Sequence, residues 1–139
     1  MLLRVPEVMS APVVARLRSQ IETADWTEMR GAAAGNGQPV RGHRQLPDDG
    51  KAARAAAGVV LEALSQSVMF FTGALPKKIF PPQFIRHDSI SGAQPGQIDS
   101  ALRTWAPTAT QVRVDLSATL FLSDPREYEG GELDRKSVV

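Results

Sequence analysis

Few side chains in this chain are equipped for chemistry. Of its 139 residues two are histidine and none is cysteine, which excludes disulfides and thiolate metal sites. His43 and His87 with Asp99 would formally make a two-histidine, one-carboxylate metal-binding set. Their spacing does not favour it. His43 lies in VRGHRQL between two arginines, which repel a divalent cation, and His87 precedes Asp88 at the end of an extended stretch, where a turn or surface role suffices. Asp88, Asp99 and Gln97 offer oxygen atoms to a hard cation, although such cations usually take more ligands. Ser117, His87 and Asp115 can be drawn as a hydrolase triad, but no serine sits in a nucleophile-elbow sequence. Glu127, Glu129 and Glu132 surround Tyr128 and a double glycine, which reads most simply as a solvated acidic hairpin. Arg113 and Asp115, two apart on one strand face, read by themselves as an exposed ion pair. The glycines of GAAAGNGQP (31–39) lack the strand–turn–helix context and the lysine of a phosphate-cradling loop.

The element that has to position these groups runs through VRVDLSATLFL (112–122). Val112, Val114, Leu116, Ala118, Leu120 and Leu122 alternate with Arg113, Asp115, Ser117, Thr119 and Phe121, the period of a strand with two different environments. One face must then be buried against a partner sheet. Ser123-Asp124-Pro125 stops the strand and Gly130-Gly131 makes a second break.

Upstream, Leu2, Leu3 and Val5 suit a short strand. Ser10 is placed as the N-cap of a helix with Pro12 in its first turn and Val13, Val14, Leu17, Ile21 and Ala24 at helical spacing, ending near Asp25. Trp26 follows as an anchor on that helix or on the sheet. Val40 to Leu46 is a short candidate strand. Pro47-Asp48-Asp49 opens a second helix through Ala52, Ala53, Ala56, Val59, Val60, Ala63 and Leu64, which Gly58 weakens locally. Val68 to Phe71 is an apolar run ended by Gly73. Leu75 to Asp88 is extended but broken by Pro76, Pro81 and Pro82, which suit an edge or a bend rather than a central strand. Helices first and strands later indicate an α+β fold, with helices packed on an antiparallel sandwich or jelly roll.

Bulk properties narrow the function classes. The length suits a single domain over 1–139, and 42% hydrophobic with 22% charged residues is a globular balance. A net charge of +1 gives no electrostatic case for nucleic acid or an anionic membrane. MLLRVPEVMS holds no signal-peptide core, and no segment approaches the about 20 apolar residues of a membrane helix. A cytoplasmic protein is the expectation.

Four stretches, LSATLFLSDPREYEGGEL, RQLP, ALPKKIFPPQF and IDSALR, together resemble the PKHD-type hydroxylases, prolyl 4-hydroxylase-like members of the Fe(II)/2-oxoglutarate dioxygenase superfamily. The resemblance runs from the first helix to Leu133 and is most specific over Asp115 to Leu133. It implies a double-stranded β-helix with helices outside, here only in part. It also implies an oxidoreductase that hydroxylates a C–H bond of an unknown substrate, with ascorbate keeping the iron reduced. In that family a His-x-Asp pair and a later histidine hold the iron, and a following arginine binds 2-oxoglutarate. The His-x-Asp matches Gln97-Ile98-Asp99, so Asp99 stands at the carboxylate ligand and Gln97 where the first histidine belongs. The second histidine and its arginine have no counterpart before Val139, and DRKSVV departs from the family pattern. An aromatic residue expected just after the family's strand arginine falls on His87, beside Arg86. Arg113 would line the barrel near the co-substrate pocket. The expectation is therefore a C-terminally truncated member with little dioxygenase activity. The alternatives are a non-catalytic binding or self-assembly module that uses an open sheet edge, or a fragment of a longer enzyme.

A half-built jelly roll leaves aliphatic side chains uncovered, each accounting for about 1.5–3 kcal/mol when buried, against a total domain stability of about 5–15 kcal/mol. Open edges also pair with other chains. The chain is therefore expected to be marginal as a monomer, with either self-association through that edge or a changed packing of the two helices over the exposed face. Gel filtration across a concentration series tests this; a compact monomer at every concentration, with one cooperative melt, would contradict it.

Overall fold

The structure is a computed structural model that describes residues 2–30, 39–89, 101–105 and 108–130. The chain divides into two compact units, Met1–Gly92 and Ala93–Val139.

In the first unit helix α1 spans Ala11–Glu22 and buries Leu17 and Ile21, one turn apart on the face the spacing predicts. Pro12 sits in the first turn, where its missing N–H costs nothing. Ser10 is the N-cap by backbone alone: its carbonyl accepts from Val14 N at 3.0 Å, and its side chain makes no cap bond. The helix stops three residues before Asp25 because the Ile21 carbonyl is taken by Ala24 N at 3.2 Å and by the Trp26 indole Nε1 at 2.9 Å. Both bonds satisfy a carbonyl the helix would otherwise leave open. Trp26 is thus the expected anchor, on the helix.

Strands β1 (Thr27–Arg30), β2 (Pro39–Gln45) and β3 (Ile85–His87) form an antiparallel sheet in the order β1-β2-β3. The proline-rich stretch before β3 places it at an edge, as a missing ladder donor requires. Leu2 to Val5 are extended but belong to no strand.

Helix α2 spans Lys51–Gln66. Pro47-Asp48-Asp49 form a turn ahead of it rather than its first turn: Gly50 N donates to Pro47 O at 2.9 Å, and Gly50 is the N-cap. Ala53, Ala56, Ala57 and Val60 are the buried stripe, small enough for close approach, while Gly58 has open space around its Cα. Ser67 ends α2 and caps α3 (Val68–Ala74), its hydroxyl accepting from Phe70 N at 3.3 Å. The axis bends by 82° there. Leu75, at φ 44 and directly before Pro76, ends α3. Val68 and Leu75 remain 76% and 81% exposed, so α3 covers little of the core. That core is small: Leu17, Ile21, Leu46, Ala53, Ala56, Ala57, Val60 and Phe84. No single helix among the described residues is long and apolar enough to cross a membrane.

The second unit holds a two-stranded antiparallel sheet, β4 (Leu102–Trp105) and β5 (Thr110–Arg113). Here the expected strand over 112–122 is corrected. β5 ends at Arg113, one further bond runs from Val114 N to Ala101 O at 2.9 Å, and 115–122 are not in a strand. Leu116 and Phe121 are 61% and 55% exposed, so the alternation is present without a buried face. The reason is the ladder: β4 has four residues, all paired with β5, and among the described residues no strand pairs with 115–122. Asp124 and Pro125 then open a 3-10 turn over Pro125–Glu127, with Asp124 Oδ1 accepting from Arg126 N at 2.9 Å. The architecture is mixed α+β.

The burial pattern gives a direct expectation. Leu17→Ala, at a site 1% exposed, costs about 2–5 kcal/mol in urea unfolding followed by Trp26 fluorescence, whereas Leu116→Ala stays within about 0.5 kcal/mol. Equal costs would contradict the placement of the core.

Candidate functional site

The two histidines, 44 positions apart, meet across the sheet. The β2–β3 register sets His43 opposite His87 and Arg44 opposite Arg86. Alternation turns the two pairs to opposite faces. His43 therefore faces inward and is only 4% exposed, although Arg44 beside it is in solvent. His87 closes β3 and is exposed at the sheet edge. Their Nδ1 atoms are 2.8 Å apart, with the rings edge-to-face at 86° and centroids 4.7 Å apart. A bond between two such nitrogens needs one N–H and one lone pair, so the rings are in opposite tautomers. Desolvation, and then repulsion from His43, holds the His87 imidazole below its ordinary value.

On the opposite face Asp88 lies 3.8 Å from Arg44 Nε and 3.9 Å from Arg86 Nε. Two like charges directly across a ladder repel, and Asp88 offsets that repulsion. Asp88 N also donates to Gly42 O at 2.8 Å, at a glycine with φ 78 that few other residues could replace. Beyond the strands, Asp48 accepts from Gln45 Nε2 at 3.1 Å and from Gln83 Nε2 at 2.9 Å, which ties the turn before α2 to the segment entering β3.

Gln97 and Asp99 lie outside the described residues, as does Glu132. Among the described residues no group of three histidine or acidic side chains is placed to hold a metal ion. Asp88 is engaged by two arginines rather than turned to a cation. Arg113 is 77% exposed and pairs with Asp115 at 2.7 Å, the ion-pair reading of those residues. Ser117 and Asp115 belong to the second unit and His87 to the first. Glu127 and Glu129 are exposed. A cleft of about 700 Å³ beside α1 and α2 is lined by Val13, Leu17 and Val59 together with Arg16 and Glu62.

In sequence His43 sits in a polar stretch and His87 beside Asp88 in a setting that suits a turn or the surface; register between distant strands has no local signature, and the one clue to the pairing is the alternation that separates His43 from Arg44.

No family model matches the chain. It is similar to curated proteins over nearly all its length. It is 41% identical over 133 residues, 96% of the chain, to a PKHD-type hydroxylase of Polaromonas sp. (strain JS666). It is 44% identical over 137 residues to PKHD-type hydroxylases of Xanthomonas euvesicatoria pv. vesicatoria and of Xanthomonas axonopodis pv. citri. The chain spans 59% of the length of each of these relatives.

The exposed Arg113–Asp115 pair is expected to contribute little. A double-mutant cycle with Arg113→Ala and Asp115→Ala should give about 0.2–1 kcal/mol, shrinking as salt is raised; a larger, salt-insensitive coupling would mean the pair is not solvated.

Proposed function

We infer that this relative of the PKHD-type hydroxylases is a portion of an Fe(II)/2-oxoglutarate hydroxylase fold that does not by itself assemble the catalytic centre. The reading includes a partial double-stranded β-helix and a cytoplasmic location. Support for the reaction class comes from the relatives' name together with the IDSALR and LSATLFLSDPREYEGGEL stretches.

The fit of the implied metal is decided by donor chemistry. An Fe(II) centre of this kind takes two neutral imidazoles and a carboxylate on one side of the ion. This chain has two imidazoles in all, and the structure joins them to each other through Nδ1. At the ligand position Gln97 offers only a neutral amide oxygen beside Asp99. The residues at hand do not fit the group, nor do they include an assigned anchor for 2-oxoglutarate, since Arg113 is paired with Asp115. The observation that carries this reading is the His43–His87 bond.

A non-catalytic module is the second reading, favoured by β3, which among the described residues pairs on one side only, and by its exposed Ile85. It assigns this surface to pairing with another chain.

Anaerobic calorimetric titration of the 139-residue chain with Fe(II) and 2-oxoglutarate is expected to show no saturable binding of the pair. Stoichiometric, tight binding of both would overturn the first reading.

A further inference from the structure

We propose that helix α3, with Leu2 and Leu3 beside it, is a surface that seats in the headgroup layer of an anionic lipid bilayer, with its apolar side chains at the acyl boundary and Lys77 and Lys78 among the lipid phosphates.

The apolar part is a continuous feature of the first unit. Val68, Phe71 and Leu75 follow one another at helical spacing on one face of α3, and all three are exposed. Met69 is exposed on the adjoining face. Leu3 lies directly against Gly73, where a Cβ would meet the leucine side chain, so Leu3 and its neighbour Leu2 extend the same surface; both are exposed. An apolar patch that natural domains would otherwise cover marks a protein or membrane contact.

Polar groups of α3 are satisfied from within. Thr72, next to Val68 on the same face, donates its hydroxyl hydrogen to Val68 O at 2.9 Å. Ser67 Oγ accepts from Phe70 N at 3.3 Å, and Phe71 O accepts from Leu75 N at 2.9 Å. These groups keep their partners in a medium that offers none, as acyl chains do not.

Charge around the patch is one-sided. No acidic residue occurs between Glu62 and Asp88, and Lys77 and Lys78, just past α3, are both exposed. Arg4, also exposed, follows Leu3. Glu7 and Glu62 line the cleft beside α1 and α2, whose lining stops at Ser67 and includes no residue of α3. The net charge of +1 for the whole chain conceals this local excess. Lysines beside an apolar face lay their stems on it and hold their ammonium groups at the phosphates. A second copy docked symmetrically on this face would instead set the same cations against each other, so the charge favours an anionic bilayer.

The contact is interfacial and not a span. α3 has seven residues, about 10 Å of helix, against the about 30 Å of a hydrocarbon core. α2 is committed to the protein core by Ala53, Ala56, Ala57 and Val60, and the 82° bend turns α3 out of its line. An apolar face and a basic rim are the two signals that stable peripheral attachment takes.

Co-sedimentation of the full chain with vesicles tests this. Phosphatidylcholine vesicles with about one quarter phosphatidylserine are expected to retain the chain at low salt, pure phosphatidylcholine to retain far less, and raised salt to release it. Lys77→Gln with Lys78→Gln is expected to weaken partitioning about thirtyfold, because each lysine at such a surface contributes about fivefold. Val68→Ser with Leu75→Asn is expected to weaken it at least about tenfold. Both of those sites are exposed, and asparagine suits the left-handed backbone at Leu75, so the melt is expected to stay unchanged. If the apolar variant fails to fold, the lysine variant and the salt dependence decide. No retention on the anionic vesicles at low salt, equal retention on both vesicle types, or retention unchanged in either variant would overturn the proposal. A lipid-free dimer abolished by Val68→Ser with Leu75→Asn would also overturn it, by assigning the face to a second copy.

Discussion

A hydrogen bond between two imidazoles uses one nitrogen from each ring and leaves no Nδ1 available for anything else. In this chain that bond joins His43 to His87 at 2.8 Å, and these are the only histidines present. Much follows from that commitment. It joins β3 to β2, fixes the β2–β3 register together with the Arg44–Asp88–Arg86 bridge, and withdraws the Nδ1 of each ring from metal chemistry. A buried imidazole without a partner would be costly; here each ring supplies the other's partner, and among the described residues no buried side-chain polar atom is left without one.

The same economy of partners governs the second unit. β5 is as long as its neighbour allows, and among the described residues no strand pairs with the alternation past Arg113. Exposed Leu116, Leu120 and Phe121 are the consequence. In the first unit the core rests on small side chains of α2 with Leu17, Leu46 and Phe84, while α3 turns away by 82° and leaves Val68 and Met69 in solvent. Both units therefore present apolar surface of the kind that natural domains usually cover. The relatives, of whose length this chain spans 59%, have further sequence beyond the matched part.

What was legible in the sequence was what local physics controls. Leu17 and Ile21 at helical spacing, the alanine stripe of α2, the proline-marked edge before β3 and the mixed α+β order all follow from periodicity and backbone restriction. Alternation from Val112 to Leu122 is a necessary condition for a two-faced strand and not a sufficient one, because a strand exists only beside another. Pro47-Asp48-Asp49 has a helix-opening composition, yet the Gly50 N–H closes a turn onto Pro47 first. The histidine pair was illegible for a different reason: it depends on which residues two distant strands set opposite each other. The hydroxylase resemblance, in contrast, was carried by long contiguous stretches and is matched by relatives over 96% of the chain.

The central claim is that the two imidazoles are committed to each other and not to a metal. The most direct measurement follows the ring-nitrogen signals of the histidine-labelled chain during anaerobic addition of Fe(II) with 2-oxoglutarate. The account predicts two rings in opposite tautomers whose signals neither shift nor broaden at stoichiometric iron. Broadening of both rings at one equivalent, with loss of the Nδ1–Nδ1 bond, would contradict it.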